Sequence, residues 1–280
     1  MQISPRYGDR PVIAIDGPVD DQRITVIRQR RRMAEALAGL TDDQWRAPTR
    51  CEGWSVQDVV THLVSTNNFW GVSISGGLAG TPTRYLDGFD PKATPAALVE
   101  ADGETSPAET LAKFVESNRV LCDLIESLDE EGWSALAEAP PGHLPIRLLA
   151  HHALWDAWVH ERDVLLPLGI QPDVESDEVA ASLRYVAALA PAFALMTETA
   201  DAGTLVIEAT DPDLRIVVDV RDGVSVSDDP SADGDVVLRG GAVDLLEALS
   251  VRKPLGVAVP DEHRWLVAGL AAIFEEAPIG

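Results

Sequence analysis

Apolar residues recur every three or four positions from residue 21 onward, at Ile24, Ile27, Met33, Ala34, Leu37 and Leu40. That period predicts a helix starting at Asp21 with this stripe turned inward. Thr41, Asp42, Asp43 and Gln44 offer a cap and a short helical turn carrying Trp45, and 47–54 reads as a loop. Ser55-Val56-Gln57-Asp58 is a capping box, with a hydroxyl at the N-cap and a carboxylate three residues later to take the cap's own N–H. The helix it opens is expected to run to about Ile74 and to stop at Gly76-Gly77. Residues 79–105, rich in Gly, Pro, Thr and Asp, read as a long excursion, either a lid or a crossing connection. Pro107 suits a first helical turn, and Leu111, Phe114, Val115, Leu121, Leu124, Ile125 and Leu128 mark a third helix. Pro140-Pro141-Gly142 breaks the chain before a fourth helix over 145–166 and a fifth over 175–196.

The period changes after Ala200. Short β-branched runs at 204–209, 214–220, 224–227 and 236–239 are separated by turns such as Asp211-Pro212-Asp213 and Arg221-Asp222-Gly223. They predict an antiparallel meander, with helices over 243–249 and 263–274 packed on it. The first residues offer one short strand at 12–15. The expected organisation is an arm over 1–20, a helical bundle over 21–200 and a small α/β domain over 201–280, with the boundary within 198–203.

Charge narrows the functional classes. A net charge of −24 repels phosphate backbones, which argues against nucleic acid as a partner. The one basic run, Arg28 to Arg32, lies in helical sequence and reads as a solvated helix face; anion binding by one of its arginines is the alternative. Two cysteines, Cys51 and Cys122, are too few for a disulfide framework and suit a reducing cytoplasm. The N-terminal stretch lacks the apolar run and cleavage pattern of a signal peptide. The apolar run over 186–196 is short and holds Pro191, so no membrane span is expected.

The chemistry concentrates in two segments. His62 follows the capping box by two turns. In LLAHHALWDAWVHERDVLLPLG, Asp156 and His160 are four apart, which puts both on one helix face. If the two helices are neighbours, His62, Asp156 and His160 can share a metal ion and leave positions open, the layout of a catalytic site. Around them, His152 could be a fourth ligand but reads rather as packing or as a donor behind the ligands, and His151 as a surface or core residue. Asp163 reads either as an orienter of the His160 ring or as an exposed partner of Arg162. Asp58 is explained by its cap, Cys51 by packing near the site and Cys122 by the core. Trp54, Trp70, Trp155 and Trp158 surround the two segments.

The segment from Ala47 to Leu63 resembles the N-terminal signature of the mycothiol-dependent maleylpyruvate isomerase family, part of the wider DinB-like metalloprotein group. Trp155 to Asp163 resembles its second metal-binding stretch. The part from Gly234 to Gly240, followed by Val243-Asp244-Leu245-Leu246 and Arg252-Lys253-Pro254, is similar to the sterol-carrier-like domain that ends many members. The resemblance implies an α+β fold: a DinB-like four-helix bundle followed by a small sterol-carrier-like α/β domain. It implies zinc, or another divalent metal, on His62, Asp156 and His160, with Asp156 standing where the isomerase has a glutamate. It implies mycothiol as the thiol cofactor, a small electrophile as the partner, and an arginine from the C-terminal domain, for which Arg215, Arg239 and Arg252 are candidates. The expected protein is a cytoplasmic monomer or homodimer that isomerises its electrophile or transfers the thiol to it. A non-haem metal enzyme without a thiol and a non-catalytic small-molecule binder are the alternatives.

Overall fold

The structure, a computed structural model, describes residues 2–16, 22–103, 105–197 and 199–274. The expected helix start at Asp21 and the expected boundary residue Glu198 lie outside these. Four long helices, α1 (Gln22–Ala38), α3 (Val56–Leu78), α5 (Pro107–Glu126) and α7 (Ile146–Leu165), form a four-helix bundle. In it α1 and α3 each lie against both α5 and α7. The short α2 (Asp42–Trp45) precedes the loop into α3. Ser55 caps α3 as its box predicts: its N–H donates to Asp58 Oδ2 at 2.8 Å, and its hydroxyl accepts from the Asp58 N–H at 3.3 Å. Leu37, Val59, Val60, Ile125, Leu149 and Leu154 are fully buried between the helices.

The stripe expected on α1 is rotated. Ile24 is 61 % exposed, and the inward face carries Thr25, Val26, Gln29, Arg30, Met33 and Leu37. Nor is the basic run a solvated face. Arg32 pairs with Glu161 of α7 at 2.7 Å and with Glu178 of α8 (Ser176–Met196) at 2.8 Å. Arg28 reaches Glu178 at 2.8 Å and also pairs with Asp177. Both glutamates are almost wholly buried, so paired charge rather than apolar surface holds this side of α1.

The excursion after α3 is anchored by one carboxylate. Pro140-Pro141 turns a hairpin, β2 (Leu136–Ala139) and β3 (Gly142–Pro145), that periodicity did not reveal. Within it Glu138 is fully buried and accepts from Tyr7 Oη (2.6 Å), Thr83 Oγ1 (2.6 Å) and the N–H groups of Tyr85 (2.9 Å) and Leu86 (2.7 Å). After this tie the chain forms α4 (Ala93–Ala101), and the short α6 (Glu130–Ser134) leads into the hairpin.

β4 (Gly203–Thr210), β5 (Leu214–Val220) and β6 (Val224–Ser227) are antiparallel neighbours as the pattern predicts. The meander stops there. β7 (Val236–Gly241) crosses back to pair parallel with β4, and β1 (Ile13–Ile15), from the N-terminal arm, pairs parallel with β6. The sheet order is β1-β6-β5-β4-β7. The arm therefore covers an edge that a pure meander would leave open. α8, α9 (Ala242–Leu249) and α10 (Trp265–Ile273) pack against this sheet, and α8 also lies against α7. Among the described residues α8 alone is long and apolar enough to cross a membrane, and most of that span is buried.

Candidate metal centre

Helix α3 and helix α7 bring His62, Asp156 and His160 together. One ligand atom from each lies within 4.8 Å of the other two. His160 Nε2 is 3.7 Å from Asp156 Oδ1, and the rings of His62 and His160 meet edge to face with centroids 5.1 Å apart. All three side chains keep partial exposure. Trp54, at the end of the loop before α3, packs on His62 with centroids 5.4 Å apart and closes one side.

The other nitrogen of His160 faces Asp163, which is fully buried. Nδ1–H donates to Asp163 Oδ2 at 3.1 Å, so Nε2 is the nitrogen turned to His62 and Asp156. Asp163 is thus an orienter, and not an exposed partner of Arg162. Arg252 grips it with both Nε (2.9 Å to Oδ1) and Nη2 (2.8 Å to Oδ2), Arg50 Nε adds a bond of 2.9 Å, and the Cys51 thiol donates at 3.3 Å. Burial by itself would raise the Asp163 pKa, but the hydrogen bonds from His160 and Arg252 hold it well below the carboxylate range.

The two imidazoles are driven apart electrostatically. Burial, and then the neighbouring His160, push His62 down to about 3, so its ring is neutral at pH 7. Burial also opposes charge on His160, but its hydrogen bonds with Asp163 and Cys51 and the charge of Asp156 outweigh that and raise it to about 10. Burial pushes Asp156 upward. A metal ion would have to displace the second proton of His160, and with that proton gone one carboxylate and two neutral imidazoles form a donor set suited to a divalent cation. Cys51, His160 and Asp163 form a second close trio. Two guanidiniums already occupy Asp163, so that trio is electrostatically poor for a cation.

Several predicted residues serve elsewhere. Asp58 is engaged in its cap. His152 is buried and bonded through Nδ1 to Tyr185 Oη at 2.8 Å, within a ring of Trp70, Trp155 and Tyr185. His151 Nδ1 donates to the Arg147 carbonyl. Trp155 donates to Ser250 at 2.8 Å, and Trp158 stacks under Arg162. Arg215 and Arg239 both pair with Glu208, away from the trio, which leaves Arg252 as the C-terminal arginine at the site. Arg50 and Glu247 were not singled out by sequence; Glu247 of α9 accepts from Arg162 (2.8 Å) and Arg50 (3.1 Å) across the junction. Arg50 stands in the signature loop one residue before Cys51, and that position was the available signal.

A four-helix bundle with two imidazoles and a carboxylate between its helices, followed by a sheet domain tied to it at that point, carries a candidate cation site. The profile of the mycothiol maleylpyruvate isomerase N-terminal domain matches residues 26–165, and the chain belongs to that family. Among solved structures the chain is similar to the crystal structures of the mycothiol-dependent maleylpyruvate isomerase and of a histidine-to-alanine mutant of it. Each has 15% identity and a TM-score of 0.60 and covers 85% of this chain and 91% of that one, a shared fold across both halves. A further similarity is to YfiT from Bacillus subtilis, a four-helix bundle, with 19% identity over 59% of this chain and a TM-score of 0.46. No curated protein matches.

Proposed function

We propose that this chain is a metal-dependent enzyme that activates the thiol of mycothiol for isomerisation of, or transfer to, a small electrophile. The observation that carries the metal is the meeting of His62, Asp156 and His160 within 4.8 Å. Membership of the family supports mycothiol as the thiol. A divalent ion, zinc by this donor set, would supply the Lewis acidity that keeps a sulfhydryl ionised near neutral pH. His62 contributes a neutral ring, Asp156 the one negative charge, and His160 a ring whose direction Asp163 fixes. One anionic and two neutral donors leave net positive charge to attract a thiolate. Trp54 shields the trio on the His62 side, and Arg252 holds Asp163 from the C-terminal domain. The thiol and its electrophile would enter at the junction between bundle and sheet domain. The two cysteines are unpaired, which suits a cytoplasmic enzyme.

The test is spectroscopic. Protein loaded with cobalt in place of zinc is titrated with mycothiol. The proposal expects a sulfur-to-metal charge-transfer band that saturates at one thiol per site. A cobalt-loaded protein whose spectrum ignores the thiol contradicts it.

A further inference from the structure

One guanidinium joins two buried carboxylates from opposite halves of the chain. Arg50 Nε donates to Asp163 Oδ1 of α7 at 2.9 Å, and its Nη1 donates to Glu247 Oε1 of α9 at 3.1 Å. The Arg50 backbone N–H also donates to the Asp163 carbonyl at 3.1 Å, which pins the signature loop to α7. The third guanidinium nitrogen, Nη2, has no acceptor among the described residues. The Arg50 side chain is therefore held by these two carboxylates, and a change at one is felt at the other. Asp163 is fully buried and Glu247 is 2 % exposed, so water screens neither end well.

The line continues to the candidate metal centre. His160 Nδ1–H donates to Asp163 Oδ2 at 3.1 Å, and the other ring nitrogen belongs to the cluster with His62 and Asp156. The acceptor behind a ligand ring sets the basicity of the nitrogen in front. Asp163 shares its lone pairs among His160, Arg252 and Arg50, and a cation that pulls harder leaves less for the ring. Glu247 acts on Arg50 from the other side. With Glu247 charged, the positive charge of Arg50 is divided between two carboxylates. Without that charge Arg50 falls wholly on Asp163, and Asp163 becomes a weaker acceptor for His160.

We propose that Arg50 and Glu247 are positioning residues for the metal centre, a relay from Glu247 through Arg50 and Asp163 to His160 by which the sheet domain raises the metal affinity of the bundle. The inference rests on the metal reading above and deepens it, since the carboxylate that tunes the ligand ring stands on the other domain.

A double-mutant cycle on the full-length chain tests the relay, with Glu247→Gln made both in the wild type and in Arg50→Met. Zinc affinity is read by chelator competition, and the His160 ring N–H proton by NMR with and without zinc. Glu247→Gln is expected to weaken zinc binding about three- to tenfold, less than losing a ligand's direct partner costs. It is also expected to move the ring proton upfield as that hydrogen bond weakens. In the Arg50→Met background the same substitution is expected to change neither reading. Asp244→Asn removes a charge from an exposed position of the same helix and is expected to leave both unchanged. Wild-type affinity and ring-proton position in Glu247→Gln overturn the relay. Equal effects of Glu247→Gln in both backgrounds also overturn it, because they are charge acting through space, as does an equal effect of Asp244→Asn. Arg50→Lys, which loses the fork, and Glu247→Asp, which shortens the reach, stand in for a variant that does not fold. A wild type that binds no zinc sinks the metal reading, and the ring proton of metal-free protein still decides whether Glu247 acts on His160. Zinc that binds with no response to Glu247→Gln sinks only the relay.

Discussion

His160 turns its two ring nitrogens to different neighbours, and that division decides what the site can do. Asp163 takes Nδ1–H, and Nε2 is left for the cluster with His62 and Asp156. Asp163 in turn is held by Arg252 and Arg50, so the ring cannot easily swing or change tautomer. Asp163→Asn removes the charge and keeps the shape. It is expected to lower metal affinity by about 10- to 100-fold with little loss of helix content, measured by competition with a chelator. Unchanged affinity would mean that Asp163 does not govern the ligand ring. The trio itself was legible in the sequence, because Asp156 and His160 are one helical turn apart and His62 follows a cap that fixes where its helix starts. Arg252 was one of three candidate arginines and Arg30 one of a basic run read as a solvated face, so the surroundings of neither were legible, and Arg50 was not singled out. An arginine in sequence looks the same whether it is solvated or buried, and only tertiary structure supplies the carboxylate or amide that distinguishes the cases.

At the scale of elements, the end of α9 carries the site's arginine in a strained turn. Arg252 N–H donates to the Glu247 carbonyl at 2.8 Å and Val251 N–H to that of Ala248 at 3.0 Å, which closes the helix in a Schellman motif. The left-handed position in that motif usually holds glycine. Here it is Val251, with φ of 60°, a β-branched residue where its side chain crowds the backbone. Val251→Gly is expected to stabilise the fold by about 1 kcal/mol in urea unfolding, since the left-handed conformation costs a β-branched residue more than glycine's extra chain entropy. Destabilisation would mean that the Val251 side chain contributes more through packing than the turn costs. Other elements depart from the sequence pattern for equally local reasons. The stripe read on α1 was rotated because Gln29 and Arg30 occupy inward positions that a hydrophobic pattern cannot mark as buried. The β2–β3 hairpin was missed because neither strand holds a β-branched residue or alternates apolar with polar positions, as the equally short β6 does. The parallel pairing of β7 and β1 depends on a crossover and on the arm, and neither leaves a mark in the alternation of a single strand.

At the scale of the molecule, bundle and sheet domain are tied by charge where the candidate site lies. Glu247 is central to the tie, bonded to Arg162 and Arg50 and 3.4 Å from Lys253. Burial alone would raise its pKa, but Arg162 and Arg50 outweigh that and hold it below the ordinary glutamate value. Because the folded pKa is depressed, the stability contributed is complete above the unfolded value and drains as pH falls toward the folded one. Urea unfolding between pH 7 and pH 4 is expected to show a loss of stability that is smaller in Glu247→Gln, and equal slopes would contradict this role for the junction. The proposed chemistry depends above all on the metal, and quantifying zinc in purified full-length protein is the decisive assay. Close to one zinc per chain is expected in the wild type, with a large drop in both Asp156→Ala and His160→Ala while each variant keeps its helical content. A wild-type protein that holds no metal after exposure to excess zinc, or variants that hold as much as the wild type, would contradict a cation held by His62, Asp156 and His160.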